Sequence, residues 1–185
     1  MSENTSHSDA RFIRTVKRIG AEAFWLHTYH NAICGMTVDA IGLDFFRVSL
    51  NALADARLIR LIRILEDDSQ TASFWYLYKA NKKLVRTAAE KCDFDIQWAK
   101  AISNKFKIIR NNTFVHIDKD AVFDPQKSYE EADITHDDIE KIIEQLWCLM
   151  QKLHFEIFHT KIEHDDYTGE DIKLLAELRD RNLDS

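Results

Sequence analysis

Four Gly and one Pro in 185 residues leave this chain almost without turn-formers, and that scarcity constrains its fold more than any other feature. Sheets need a tight turn every few residues, and tight turns draw heavily on Gly and Pro. Apolar residues instead recur at three- and four-residue steps along nearly the whole chain, the spacing of one helix face. The expected class is therefore all-α. With 45% hydrophobic residues, a chain of this length buries one sizeable core.

Residues 1–8 are polar and read as a disordered tail. A first helix is expected from Asp9 to Ile33, with Phe12, Val16, Ile19, Ala23, Leu26 and Tyr29 on its apolar face and Cys34-Gly35 as its stop. His27 and His30 lie one turn apart. With no second ligand pair nearby in sequence, they read as ordinary partly buried histidines. A second helix, Val38 to Glu66, turns Leu43, Phe46, Leu50, Leu53, Leu58, Leu61 and Leu65 inward. Its Arg57, Arg60 and Arg63 stand at i, i+3, i+6 among Asp55, Glu66, Asp67 and Asp68. They are read either as exposed ion pairs or as a rail facing phosphates.

A third helix is expected from Ala72 to Lys91. It opens on Phe74, Trp75, Tyr76 and Tyr78 and continues into a basic face of Lys79, Lys82, Lys83 and Arg86. Such aromatics serve either as core and interface anchors or as stacking surfaces for single-stranded RNA. A fourth helix, capped by Asp93 or Asp95, packs through Trp98, Ala101, Ile102, Ile108 and Ile109. The stretch from Asp118 to Asp133 holds the one proline and reads as a loop with a short extended piece at 121–123. Thr135-x-x-Asp138 has the form of a capping box and opens a fifth helix to His159, with Ile139, Ile142, Ile143, Leu146, Leu149, Met150 and Leu153 inward. Within it, Glu156-x-x-His159 has the step used by di-iron bundles, but such sites need two copies and further Glu residues, so no metal is expected there. A short acidic helix, Ile172 to Asn182, carries Leu174, Leu175 and Leu178 after the link at 163–169.

No apolar run reaches the ~18 residues a membrane helix needs, and the N-terminus has no signal-peptide core, so a cytoplasmic protein is expected. Cys34, Cys92 and Cys148 are odd in number and widely spaced. They read as buried free thiols rather than a disulfide frame or a zinc site. Net charge is −6 but unevenly spread: residues 1–110 carry 17 Lys and Arg against 12 Asp and Glu, and residues 111–185 carry 8 against 19. Fields are felt within a Debye length of roughly 8–10 Å, so the basic first part still offers phosphates a local patch.

Candidate chemistry lies in the run Arg110-Asn111-Asn112-Thr-Phe-Val-His116-Ile-Asp118, at the end of the fourth helix and just before the proline loop. On a straight helix a six-residue offset leaves two side chains about 120° apart and roughly 9 Å apart along the axis. Arg110 and His116 therefore reach one reacting group only through a distorted turn at Asn111-Asn112, or by lining a cleft from different angles. Adjacent Asn residues favour the distortion, because their amides compete for backbone hydrogen bonds.

Arg-Asn-x4-His-x-Asp ending one helix of an all-helical chain, followed by a short loop and another long helix, resembles the HEPN superfamily and its abortive-infection U-type branch. The likeness covers residues 10–162. It implies an up-and-down bundle, here of four to five long antiparallel helices plus a short C-terminal helix, with 9–162 as the bundle and 163–185 as an acidic appendage. It also implies a homodimer whose motifs share one cleft, and a metal-independent endoribonuclease acting as an anti-phage or toxin–antitoxin toxin without a cofactor.

In that scheme the RNA's own 2′-hydroxyl attacks. His116 moves the proton, Arg110 stabilises charge on the phosphate, Asn111 orients the phosphate or the His, and Asp118 fixes the imidazole tautomer. Arg57, Arg60, Arg63, Lys79, Lys82, Lys83 and Arg86 would hold the RNA. Members silenced by adenylylation carry a Tyr two residues after the His. Asp118 stands there in this chain, so that route is not expected, and an antitoxin protein remains a possible partner. The other reading is a catalytically inactive bundle that binds RNA or a protein.

Overall fold

The computed structural model describes residues 3–36, 44–111 and 125–163, with Asp171, Leu174, Glu177 and Leu178 beyond them. Those residues form seven helices and no strand: α1 (Glu3–Gly35), α2 (Asp44–Leu65), α3 (Phe74–Ala80), α4 (Lys82–Glu90), α5 (Ile96–Ile109), α6 (Pro125–Ala132) and α7 (His136–Phe158). The all-α class expected from the scarcity of turn-formers is the class observed.

Helix α1 is the spine. It begins at Glu3, six residues before the expected Asp9, and ends at the expected Gly35. Phe12, Val16, Ile19, Ala23 and Leu26 are buried along it, with α2 packed on one side and α7 on the other. Contacts run in opposite order along the partners. Glu22 meets Arg60 and His30 meets Arg57, while His154 lies beside Gly20 and Glu144 beside His27 and His30. Both α2 and α7 therefore run antiparallel to α1.

Helix α7 matches its expected outline. The Thr135 hydroxyl accepts from Asp138 N and the Asp138 carboxylate accepts from Thr135 N, each at 3.1 Å, which satisfies two donors that a helix start leaves open. All seven expected apolar side chains, from Ile139 to Leu153, are buried. Each contributes about 1.5–3 kcal/mol by leaving water.

Elsewhere the structure corrects the expectations. The third helix is two: Asn81 ends α3 by donating its N–H to Leu77 O, and its side chain caps α4 by accepting from Leu84 N at 3.2 Å. Asn competes well for backbone groups, and that outweighs the unbroken periodicity around it. On α5 the buried side is Ala99, Ile102, Ser103, Phe106 and Ile109, whereas Ala101 and Ile108 face solvent. Where a loop was expected, α6 starts at Pro125, whose fixed φ and missing N–H suit a helix start. The expected extended piece at 121–123 lies outside the described residues, as do Val38 and Leu43 of the second helix.

Cys92 and Cys148 are not free thiols. They form a disulfide with Cα atoms 5.8 Å apart, joining the end of α4 to α7. Their separation of 56 residues gave no local sign of the pairing. Cys34 is a free thiol, as expected, but it is exposed. Closing a loop of that size restricts the unfolded chain, so replacing Cys92 and Cys148 together by Ser is expected to lower stability by about 2–4 kcal/mol. Urea unfolding against the oxidised parent measures this, and coincident curves would show that the bond contributes nothing.

Candidate functional site

The C-terminal end of α2 gathers the elements around the sequence motif. The Leu65 carbonyl, one of those a helix end leaves without an intrahelical partner, accepts from Trp75 Nε1 at 2.8 Å and from Ser103 Oγ at 2.6 Å. The next two residues are carboxylates that each select a cation. Glu66 accepts from Arg110 Nη1, and Asp67 accepts from Lys79 at 2.8 Å and from Lys100. Three consecutive residues thus fasten α3 and α5 to the end of α2.

Arg110 stands where α5 stops. Asp95 caps the start of that helix by accepting from Gln97 N and Trp98 N, and Ile109 is fully buried. The Arg110 backbone is still α-helical, with φ −54° and ψ −48°, and its N–H donates to Phe106 O and Lys107 O; the distortion expected at Asn111-Asn112 runs into residues outside the described ones. Arg110 is half-buried. Its Nε and Nη2 donate to Asn111 Oδ1 at 3.2 and 3.1 Å, and its Nη1 donates to Glu66. Among the described residues, one N–H on each terminal nitrogen meets no acceptor. Asn112, His116 and Asp118 lie outside the described residues.

The three α2 arginines do not form one rail. Arg57 is 8% exposed, with Nη1 3.3 Å from His30 Nδ1. Arg60 pairs with Glu22, which also holds Arg18 at 2.8 Å, and lies over the Tyr29 ring. Arg63 alone is exposed, and with Arg18, Glu22, Glu66 and Thr71 it lines an open cleft of about 230 Å³. Their period of three carries them around the helix, into α1 on one side and into water on the other.

Lys79, Lys82, Lys83 and Arg86 are all exposed, Lys79 on α3 and paired with Asp67, the other three on α4. Lys82 and Arg86 both lie over the Tyr78 ring, at 5.8 and 6.0 Å from its centre. Phe74 and Trp75 are buried and serve packing. Glu156 pairs with Lys91, and His159 ends α7 in a left-handed conformation, so the Glu-x-x-His step has structural uses.

A second polar cluster, absent from the sequence expectations, lies between α1 and α7. His27, His30 and Cys34 share one face of α1 opposite Glu140 and Glu144, and Arg57 reaches in from α2. Burial, then the Arg57 charge, pushes His30 below its usual value, and burial pushes the Cys34 thiol up. The step from His27 to His30 to Cys34 was legible on a helical wheel, but the carboxylates more than a hundred residues away were not.

Asp67 offers a check on the α2 terminus. Hydrogen bonds from Lys100 and then Lys79 hold its carboxyl down from 3.8 to about 2. A depressed carboxyl adds stability that is complete above its unfolded value and is lost as pH falls through the folded one. Asp67→Asn is expected to cost about 1 kcal/mol at neutral pH, allowing for solvent screening. Urea unfolding should show that cost shrinking as pH falls from near 4 toward 2. A cost independent of pH would contradict the pairing.

Among known proteins, no curated protein and no solved structure matches the chain. A family model does: HEPN_AbiU2, described as AbiU2, matches residues 9–178, beyond the expected bundle boundary at 162. That match covers nearly the whole sequence, and the chain belongs to the AbiU2 branch of the HEPN superfamily.

Proposed function

We propose that the protein is a metal-independent endoribonuclease of the abortive-infection kind. The observation that carries this reading is the half-buried guanidinium of Arg110, held by Glu66 and Asn111 at the head of the family motif, with one N–H on each terminal nitrogen that meets no acceptor among the described residues. Two N–H groups on adjacent nitrogens suit bidentate donation to a phosphate, which a lysine would do less well. Asn111 fixes the guanidinium plane through its amide oxygen, a positioning role the hydrogen bonds support.

In this reading His116 takes the proton from the ribose 2′-hydroxyl and returns one to the leaving 5′-oxygen, an exchange that imidazole performs near neutral pH. Arg110 stabilises the charge that builds on the phosphate. Asp118 orients the imidazole. Two protomers bring their motifs to one cleft, where Arg110 of one and His116 of the other act on the same phosphate, and RNA runs along Lys79, Lys82, Lys83 and Arg86. Arg63 serves the same strand, while Arg57 and Arg60 are committed to His30 and Glu22 and act in packing. The reaction belongs in the cytoplasm, where a toxin meets its RNA and an antitoxin protein would restrain it. No helix among the described residues is long and apolar enough to cross a membrane.

A second reading, an inactive bundle that binds RNA or protein, draws on the Arg110–Glu66 pair, which already occupies part of the guanidinium. Labelled RNA incubated in EDTA separates the two. Cleavage by the parent is expected, with losses of about 10²-fold or more in Arg110→Ala and in His116→Ala. RNA bound but uncut by the parent, or cut equally well by both variants, would overturn the ribonuclease reading.

A further inference from the structure

We propose that His30, Cys34 and Glu140, with Glu144 one turn further along α7, form a binding site for one divalent transition-metal ion of the zinc type. The site is separate from Arg110 and does not depend on the ribonuclease reading. His30 and Cys34 stand at i, i+4 on the last turns of α1, so their donors point from one face toward α7. The donor atoms of His30, Cys34 and Glu140 all lie within 4.8 Å of one another.

The spacing suits a tetrahedral ion. Metal–ligand bonds of about 2.0–2.3 Å put neighbouring donors roughly 3.3–3.8 Å apart. Cys34 Sγ is 3.8 Å from His30 Nε2 and 3.9 Å from Nδ1, and Glu144 Oε1 is 3.5 Å from His30 Nε2. Glu140 needs a small movement, and its flexible side chain, now 3.4 Å from His136 Nδ1, can make it. His30 is 6% exposed while Cys34 is open to solvent, so the cluster has a fixed inner ligand and an entry for the ion.

Charge fits as well. Without an ion the cluster sets two carboxylates against the Arg57 guanidinium. Binding would replace the Cys34 thiol proton, released to water, so that thiolate and two carboxylates balance a divalent ion and Arg57. His30 Nε2 donates the lone pair and Nδ1 keeps the proton, so the Arg57 Nη1 now 3.3 Å from Nδ1 shifts aside when the ion binds. Thiolate with imidazole selects zinc, cobalt and their neighbours over magnesium or calcium, which prefer all-oxygen cages.

The test uses the untagged full chain with Cys92 and Cys148 oxidised, which leaves Cys34 as the one thiol. Cobalt(II) titration is expected to give a thiolate-to-cobalt charge-transfer band that saturates at one equivalent and is bleached by zinc but not by magnesium. Cys34→Ser should abolish the band, and Glu140→Gln should weaken binding by about tenfold or more. Both positions are solvent-accessible, so the variants should fold, which circular dichroism checks. Absence of the band in the parent, saturation at several weak equivalents, or a band that survives Cys34→Ser would overturn the proposal. RNA cleavage in EDTA is read independently, so each proposal fails on its own result.

Discussion

The fold depends on how α2 ends. A helix terminus leaves carbonyls without partners, and burying one uncompensated costs about 1–3 kcal/mol. Here the Leu65 carbonyl is satisfied by two side chains from other elements, Trp75 of α3 and Ser103 of α5. Because Trp75 and Ser103 are themselves buried, these bonds form only when α2, α3 and α5 are in register. Glu66 and Asp67 then add charge to the same point and draw in Arg110, Lys79 and Lys100. α1 packs between α2 and α7, and the α2 terminus ties α3 and α5 to that core.

That arrangement places the candidate chemistry. Arg110 stands at the end of a helix whose other face is fastened to the protein interior, so its guanidinium is anchored by Ile109 beneath it and Glu66 beside it. The pairing with Glu66 has two consequences. For the phosphate proposed to bind there, it would pre-set the guanidinium, lowering the cost of ordering it, and would also compete for its charge.

Local sequence signals carried much of this. The capping box at Thr135 and the seven-residue apolar stripe after it gave α7 almost residue for residue, because cap and stripe act within one element. The scarcity of Gly and Pro gave the fold class. What failed involved partners distant in sequence or side chains competing for the backbone. Asn81 split a helix that periodicity alone would have continued. Glu66 seemed to belong to the arginines on its own helix, yet its partner is Arg110, 44 residues away. Arg57 looked like a member of an exposed series until α1 was packed over it. The disulfide and the cluster at His30, Cys34 and Glu140 also join helices far apart in the chain, and spacing within a helix is silent on such pairs.

The central claim is that the Arg of one protomer and the His of another act on one phosphate, and mixed dimers test it most directly. Arg110→Ala and His116→Ala chains, each inactive alone, would be unfolded together and refolded. A shared cleft predicts recovery of about a quarter of the parent's RNA-cleaving rate, since half the dimers are mixed and each regains one of two sites. Dimers that form and stay inactive, or a protein that remains monomeric while cleaving RNA, would contradict it.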